Sequence, residues 1–312
     1  MIKNIKIFSH LDLDGVGCIF VTKAMYMYSN LHYTYCNYDN VDNLVTQFIK
    51  SGGIHNYDKV YITDISVKHK TAEILNKYSS KVMLIDHHIN SVTDHLDKYN
   101  WVIRKGEVDN IARSGTWLVA NHFNLFNKYE YIDDIVTHID NYDCWKWKNE
   151  GDIIAKDMND IMEIIGREQF LETLEKQFNF GLGKKSFEFT PSFLYLLEIR
   201  RNEYNTTLKN SIKHMEIVKW KNYKVGVVFC NKFRSELGND LCIEFENEVD
   251  FIALINLASG VSLRGVKDNI HLGEIAKDIA KNIGLSGGGH KKAAAITFTD
   301  SYRNTFIQNI FK

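Results

Sequence analysis

Short apolar runs that stop at acidic or imidazole residues recur along the first ninety positions of the chain. The clearest is Lys81-Val-Met-Leu-Ile-Asp-His-His88, in which a continuous apolar stretch meets three polar side chains. A run of that length suits a strand buried on both faces of a parallel sheet. Ile5-Lys-Ile-Phe-Ser-His-Leu-Asp-Leu-Asp-Gly15 and Lys59-Val-Tyr-Ile-Thr-Asp-Ile65 repeat the pattern. Strands are expected at 5–8, 33–35, 60–63 and 82–85, with helices opening at Gly15 and covering 41–50 and 69–78. Alternation of strand and helix with short connections predicts an α/β fold with a doubly wound parallel sheet. Such sheets carry their sites beyond the carboxyl ends of the strands. His10, Asp12, Asp14, Asp64, Asp86, His87 and His88 all fall there.

The pattern loosens over 89–99, then offers a short strand at 101–103. Ser114 reads as the N-cap of a helix whose amino terminus could hold an anion. A helix from Tyr131 runs into His138-Ile-Asp-Asn-Tyr-Asp-Cys-Trp145, and 157–180 reads as one amphipathic helix ended by Gly181-Leu-Gly183. Pro191 opens a long helix to about residue 213, which would bridge two domains. From Tyr223 the chain changes character, with strands at 224–229, 251–256 and 261–264 and a helix at 235–244. Three parts follow: a catalytic domain over 1–185, a helical linker over 186–221 and a smaller α/β domain over 222–312. A length of 312 residues accommodates two cores.

Composition narrows this picture. A hydrophobic fraction of 45% with 25% charged residues excludes a disordered chain. The formal net charge of -1 argues against coating of long nucleic acid, so short or small anionic partners fit better. Lys184-Lys185, and Arg200-Arg201 with Lys209 and Lys213, read as solvated helix faces. Five scattered cysteines without a C-x-x-C pair suggest a reducing compartment. With no signal-like or membrane-length apolar run, a cytoplasmic protein without membrane contact is expected. A homodimer is left open.

The acidic and histidine positions form an ordered set. Ser9-His10-x-Asp12-x-Asp14-Gly15, Asp64 and Asp86-His87-His88 resemble the first three motifs of the DHH phosphoesterase superfamily. Val261-Ser-Leu-Arg-Gly265, Gly287-Gly-Gly-His290 and Lys291-Lys-Ala-Ala-Ala295 resemble the DHHA1 substrate-binding domain of its exonucleases and nanoRNases. The segment His138–Trp145 is similar to the fourth acidic motif of the bacterial nanoRNase-like branch. There Asp140 is the first choice as ligand and Asp143 the alternate.

Divalent ions that act on phosphates take hard oxygen ligands with some imidazole, and paired ions sit roughly 3.5–4 Å apart. The resemblance implies that His10, Asp12 and Asp64 hold one ion and that Asp14, Asp64, His87 and Asp140 hold a second. A cysteine-free oxygen and nitrogen set favours Mn²⁺ over Mg²⁺ or Co²⁺. In that family pattern His88 stays off the metal and faces the substrate phosphate, while Asp86 orients a neighbouring histidine. Gly287, Gly288 and Gly289 would let backbone N–H groups line up on a phosphate, with His290 as a further donor. Arg264 would grip an anion through two parallel bonds. Cys18 and Cys144 read as core residues, and His122, His138, His214 and His271 as ordinary ones.

The implied activity is metal-dependent phosphodiester hydrolysis by an activated water, on short RNA or DNA oligonucleotides or dinucleotides, in a cleft between the domains. Rival readings are a cyclic mono- or dinucleotide phosphodiesterase, a RecJ-like single-strand exonuclease, and a nucleotide-binding regulatory module without activity. A manganese-dependent pyrophosphatase ranks below these, because it should lack Gly-Gly-Gly-His.

Overall fold

The computed structural model describes residues 3–89, 93–267 and 269–310. The chain divides into two compact units, 1–197 and 198–312. Residues 90–92, within the stretch read above as irregular, lie outside the described residues, as do Met1 and Ile2.

In the first unit β1 (Asn4–His10), α1 (Leu13–Met25), β2 (Asn30–Cys36), α2 (Val41–Lys50), β3 (Lys59–Thr63), α3 (His69–Asn76), β4 (Val82–Asp86) and β5 (Val102–Arg104) follow in order. The strands form one sheet in the order β2-β1-β3-β4-β5, and every pairing is parallel. Side chains alternate between faces, as the pleat requires. Ile5, Ile7, Tyr61 and Ile85 pack into a core that also takes Val16, Ile19 and Phe20 of α1. Phe8, Val60, Ile62, Val82 and Leu84 pack against Val41, Val45, Ala72 and Leu75 of α2 and α3. The sheet is therefore covered on both faces, which makes it doubly wound, and its carboxyl edge is left for chemistry.

A small ribbon, β6 (Glu107–Val108) and β7 (Ile111–Ala112), precedes α4 (Gly115–His122), α5 (Glu130–Asp143), α6 (Trp147–Glu150), α7 (Ile153–Ile165) and α8 (Arg167–Phe178). The single helix expected over 157–180 is in fact two. Gly166 takes a φ of 85°, ending α7 through its amide to Met162 O, and α8 starts at the next residue. The apolar periodicity continues across the break, so only the glycine marks it. Both helices join the α1 core through Met158, Ile161, Phe170 and Leu174.

Helix α9 (Pro191–His214) contains the boundary between the units, and Pro191 is its first residue as expected. Beyond it come β8 (Glu216–Trp220), β9 (Tyr223–Phe229), α10 (Arg234–Glu244), β10 (Phe251–Asn256), β11 (Gly260–Gly265), α11 (Leu272–Asn282), β12 (Ser286–Gly289), β13 (Ala293–Thr297) and α12 (Asp300–Ile310). The six strands pair in the order β12-β13-β11-β10-β9-β8, with β9 and β10 parallel and the rest antiparallel. Strand β8 has no sequence expectation behind it: four of its five residues are exposed, so it carries no buried alternation. One face of this sheet packs on α11 through Leu272, Ile275 and Ala276, and the other on α10 through Leu237 and Leu241. Among the described residues no helix is long and apolar enough to cross a membrane.

Candidate functional site

The carboxyl ends of β1, β3 and β4 deliver the site. Asp64 follows β3 in a left-handed conformation (φ 56°), uncommon for a residue with a Cβ but tolerated by aspartate, and its side chain is almost fully buried. Three groups of metal-capable side chains meet around it: His10, Asp12 and Asp64; Asp64, His87 and His88; and Asp14, His87 and Asp143. Within each group the ligand atoms lie within 4.8 Å of one another. His87 Nε2 stands 3.3 Å from Asp64 Oδ1, 3.5 Å from Asp143 Oδ2 and 3.7 Å from Asp14 Oδ2. Asp64 and His87 thus link all three groups.

The carboxylates differ in what already holds them. Asp12 caps α1 by accepting from Gly15 N at 3.0 Å, and it pairs with His10 Nδ1 at 2.7 Å. Burial would raise its pKa, but the His10 bond and charge and the Gly15 amide outweigh that and hold it at about 2. Asp14 takes two amides of the first turn of α4, Gly115 N at 2.6 Å and Thr116 N at 2.7 Å. That helix start does hold an anion, but the anion is the protein's own Asp14. Ser114 is its N-cap, accepting from Trp117 N.

Asp64 and Asp143 are provided for differently. Among the described residues neither oxygen of Asp64 has a hydrogen-bond partner, nor has Asp143 Oδ2 or His87 Nε2, and all four atoms are buried. Burial, then the charges of Asp14 and Asp12, pushes both carboxyls well above the usual range. Burial likewise lowers His87. Buried polar atoms are ordinarily satisfied, so four converging exceptions call for an ion. The donor set, carboxylate oxygen with imidazole nitrogen and no thiol, fits divalent cations of the Mn²⁺ and Mg²⁺ kind.

The residue of this pair that the geometry brings to the cluster is the alternate, Asp143, and not the first choice, Asp140. Asp140 accepts from Ser114 N at 2.7 Å, Arg113 Nη1 at 3.0 Å and Lys146 Nζ at 2.5 Å, so its lone pairs are committed to neighbours. Asp143, one helical turn further along α5, is the one that reaches His87. Sequence spacing could not separate them, because i and i+3 share a helix face. The two cations that hold Asp140 come from elsewhere in the chain.

Asp86 and His88 form a pair beside the cluster. Asp86 is fully buried and accepts from His88 Nδ1 at 2.8 Å, His88 N at 3.1 Å and the Ser66 hydroxyl. Burial works against its charge, yet the His88 and Ser66 bonds keep it below its ordinary value. For His88, burial is outweighed by Asp86, so its pKa is raised. With Nδ1 bound to a carboxylate, Nε2 is directed outward. It meets the Tyr38 hydroxyl at 3.1 Å.

In the second unit Arg264 lies half-buried at the end of β11, where Nη1 donates to Leu263 O and Nη2 to the Ser235 hydroxyl. Gly287, Gly288 and Gly289, whose N–H groups were expected to line up on a phosphate, lie in a strand. They form β12, paired in register with Ile296, Ala295 and Ala294. Gly287 is there for close packing, since an added Cβ would lie 2.6 Å from Ala276 O of α11, and only Gly289 has positive φ, 142°. Because β12 ends the sheet, alternate N–H groups point away from β13. His290 is exposed, with its backbone amide bonded to Ala293 O at 2.8 Å.

In fold and site together the chain resembles a DHH-type unit followed by a DHHA1-type unit, of the nanoRNase-like kind. Residues 220–312 match the DHHA1 domain family. The chain is 29% identical over 315 aligned positions to Oligoribonuclease NrnB of Bacillus subtilis (strain 168), covering 98% of this chain and 76% of that protein. A solved structure of exonuclease RecJ bound to manganese shares the fold, with a TM-score of 0.61 at 14% identity over 99% of this chain and 89% of that one. So does the pGpG-specific phosphodiesterase PggH from Vibrio cholerae, with a TM-score of 0.55 at 10% identity over 98% and 97%.

Proposed function

We propose that the chain is a metal-dependent phosphodiesterase that cleaves short oligonucleotides or dinucleotides. The observation that carries the reading is the convergence of Asp64 Oδ1 and Oδ2, Asp143 Oδ2 and His87 Nε2, buried at the carboxyl edge of the sheet and without hydrogen-bond partners among the described residues. His10, Asp12 and Asp64 would hold one ion, and Asp14, His87 and Asp143 a second, with Asp64 shared. When bound, a pair of divalent cations, Mn²⁺ by preference for this donor set, supplies a reactive water and neutralises charge on the phosphoryl oxygens.

The chain's own residues do the rest. The α4 amides fix Asp14 and the α1 amide fixes Asp12, so neither carboxylate needs to reorganise. Asp86 sets the His88 tautomer and aims Nε2 outward as a donor or acceptor toward the substrate. Arg264, His290 and the outward amides of β12 are the second unit's contribution to phosphate binding. The name of the Bacillus relative favours oligoribonucleotides, and the net charge of -1 favours short ones, since few counterions would be released by added phosphates.

The test is a turnover panel of RNA and DNA 2-, 3-, 5-, 12- and 24-mers, a cyclic dinucleotide and pyrophosphate, with Mn²⁺ or with chelator. The expected result is chelator-sensitive hydrolysis whose kcat/KM falls beyond about five nucleotides, because electrostatic gain per added phosphate is small. Undiminished activity in excess chelator overturns the metal reading. Efficiency that rises with length and falls steeply with salt overturns the short-substrate reading.

A further inference from the structure

Tyr38 stands over the candidate site without belonging to either core. It follows edge strand β2, and its side chain is absent from both hydrophobic clusters of the first unit. The residue is 52% exposed. Its ring centroid nonetheless lies 5.1 Å from that of His10 and 5.9 Å from that of His88, edge-on to the latter. The turn that carries it is tied down, with Asn37 Oδ1 accepting from Asp39 N and Asn40 N at 3.0 Å, and Asn40 Oδ1 accepting from Asn37 N at 2.9 Å. An ordered turn therefore places an exposed phenol against two site histidines, at no evident gain in core burial.

The hydroxyl partner is informative. His88 Nδ1 is bonded to the Asp86 carboxylate, which accepts three hydrogen bonds, so Nε2 is the ring nitrogen left to face the Tyr38 hydroxyl. The Tyr38 hydroxyl and Nε2 are hydrogen-bonded across 3.1 Å. A phenolic O–H turns freely about its C–O bond and can pass its hydrogen bond to an incoming oxygen without moving the ring. We propose that Tyr38 is a substrate-binding residue, whose hydroxyl is parked on His88 Nε2 and transfers to a non-bridging oxygen of the phosphodiester that binds beside the cluster. This rests on the phosphodiesterase reading above. The contact is to the phosphate, not the base, so it serves any nucleotide sequence.

The experiment compares wild type, Tyr38→Phe and Tyr38→Leu on two substrates, a linear diadenylate and bis(p-nitrophenyl) phosphate, which has the diester but no base. Binding of a diadenylate with methylene in place of its bridging oxygen, to the Mn²⁺-loaded protein, gives a readout that needs no turnover. Hydrogen bonds to a charged group support an expected loss of about tenfold in KM and in analogue affinity for Tyr38→Phe. The loss should be equal on both substrates, with Mn²⁺ affinity unchanged. Tyr38→Phe matching wild type in analogue affinity overturns the proposal, and so does a loss confined to diadenylate and to Tyr38→Leu, which means base stacking. If wild type binds the analogue but turns over neither substrate, the hydrolase reading fails while the Tyr38 contact is still read from binding. Failure of wild type to bind the analogue overturns both.

Discussion

Gly115→Ala should disable the site from a residue that carries no chemistry. Gly115 is the first residue of α4 and sits between the two carboxylates that most need exact placing: an added Cβ would lie 2.9 Å from Asp14 Oδ2, 2.9 Å from Asp64 Cβ and 3.2 Å from Asp64 Cα. Nonbonded carbons rest about 3.5–4.0 Å apart, so Asp64 or α4 must retreat by roughly 0.6–1 Å. Overpacking of this kind costs about 1–3 kcal/mol. Helix propensity runs the other way, favouring alanine by about 1 kcal/mol, so a fall in Tm isolates the steric effect. Misplacing catalytic groups by about 1 Å lowers turnover on the order of a hundredfold. The assay is kcat/KM on a dinucleotide, Mn²⁺ affinity by calorimetry, and Tm in chelator. A variant with Mn²⁺ affinity and kcat/KM within about threefold of wild type, under 1 kcal/mol, would refute the reasoning.

Asp64→Asn should raise the Tm of the chelator-treated protein while abolishing metal-induced stabilisation, because the wild-type carboxylate is buried beside Asp14 and Asp12 with no donor; thermal shifts with and without Mn²⁺ check both signs. Asp143→Asn should cut Mn²⁺ affinity and, by the same burial argument, raise the metal-free Tm. Asp140→Asn should instead destabilise by about 3 kcal/mol, since Arg113 and Lys146 lose a buried charge partner, as read by denaturant titration. Equal effects of the two on metal affinity would contradict the ligand assignment. A pH effect is expected away from the metal residues, where Asp152 caps α7 and pairs with His138. For Asp152, burial is outweighed by Asn141 and His138 and the pKa is lowered; for His138, burial is outweighed by Asp134 and Asp152 and the pKa is raised. The Asp152 contribution is present above its ordinary 3.8 and lost as pH falls through its folded value. The His138 contribution is complete below 6.5 and lost as pH rises through its folded value. Asp152→Asn should flatten both shoulders in a plot of Tm against pH, and an unchanged profile counts against the pair.

The first unit was legible because its signals are local. Apolar runs bounded by turn residues marked β1, β3 and β4 within a residue or two, and β10 fell on 251–256 as read. The strand ends then located His10, Asp64, Asp86, His87 and His88. Information carried by distant neighbours was not legible. The commitment of Asp140 depends on Arg113, twenty-seven positions earlier, and on Lys146. The partner of Asp14 is a helix start a hundred residues on. The strand at the three glycines was not legible because composition reports conformational freedom, whereas Gly287 is required by the approach of α11. Strand β8 lacked alternation because it is an exposed edge.

A division of labour among the four clustered carboxylates follows from their partners. Asp12 and Asp14 are held by backbone amides at the starts of α1 and α4, which compensate their charge whether or not a cation is bound. Those bonds also fix where each carboxylate points, so they set the frame. Among the described residues neither oxygen of Asp64 nor Oδ2 of Asp143 has such a donor, and burial makes their charge costly. On the proposed reading, affinity for an ion would be concentrated in Asp64 and Asp143, while Asp12 and Asp14 would set the geometry. The same logic separates Asp140, neutralised by Arg113 and Lys146, from Asp143 three residues later. A carboxylate already matched by two cations has little left to offer a third, and it serves here to seat α5 so that Asp143 faces His87.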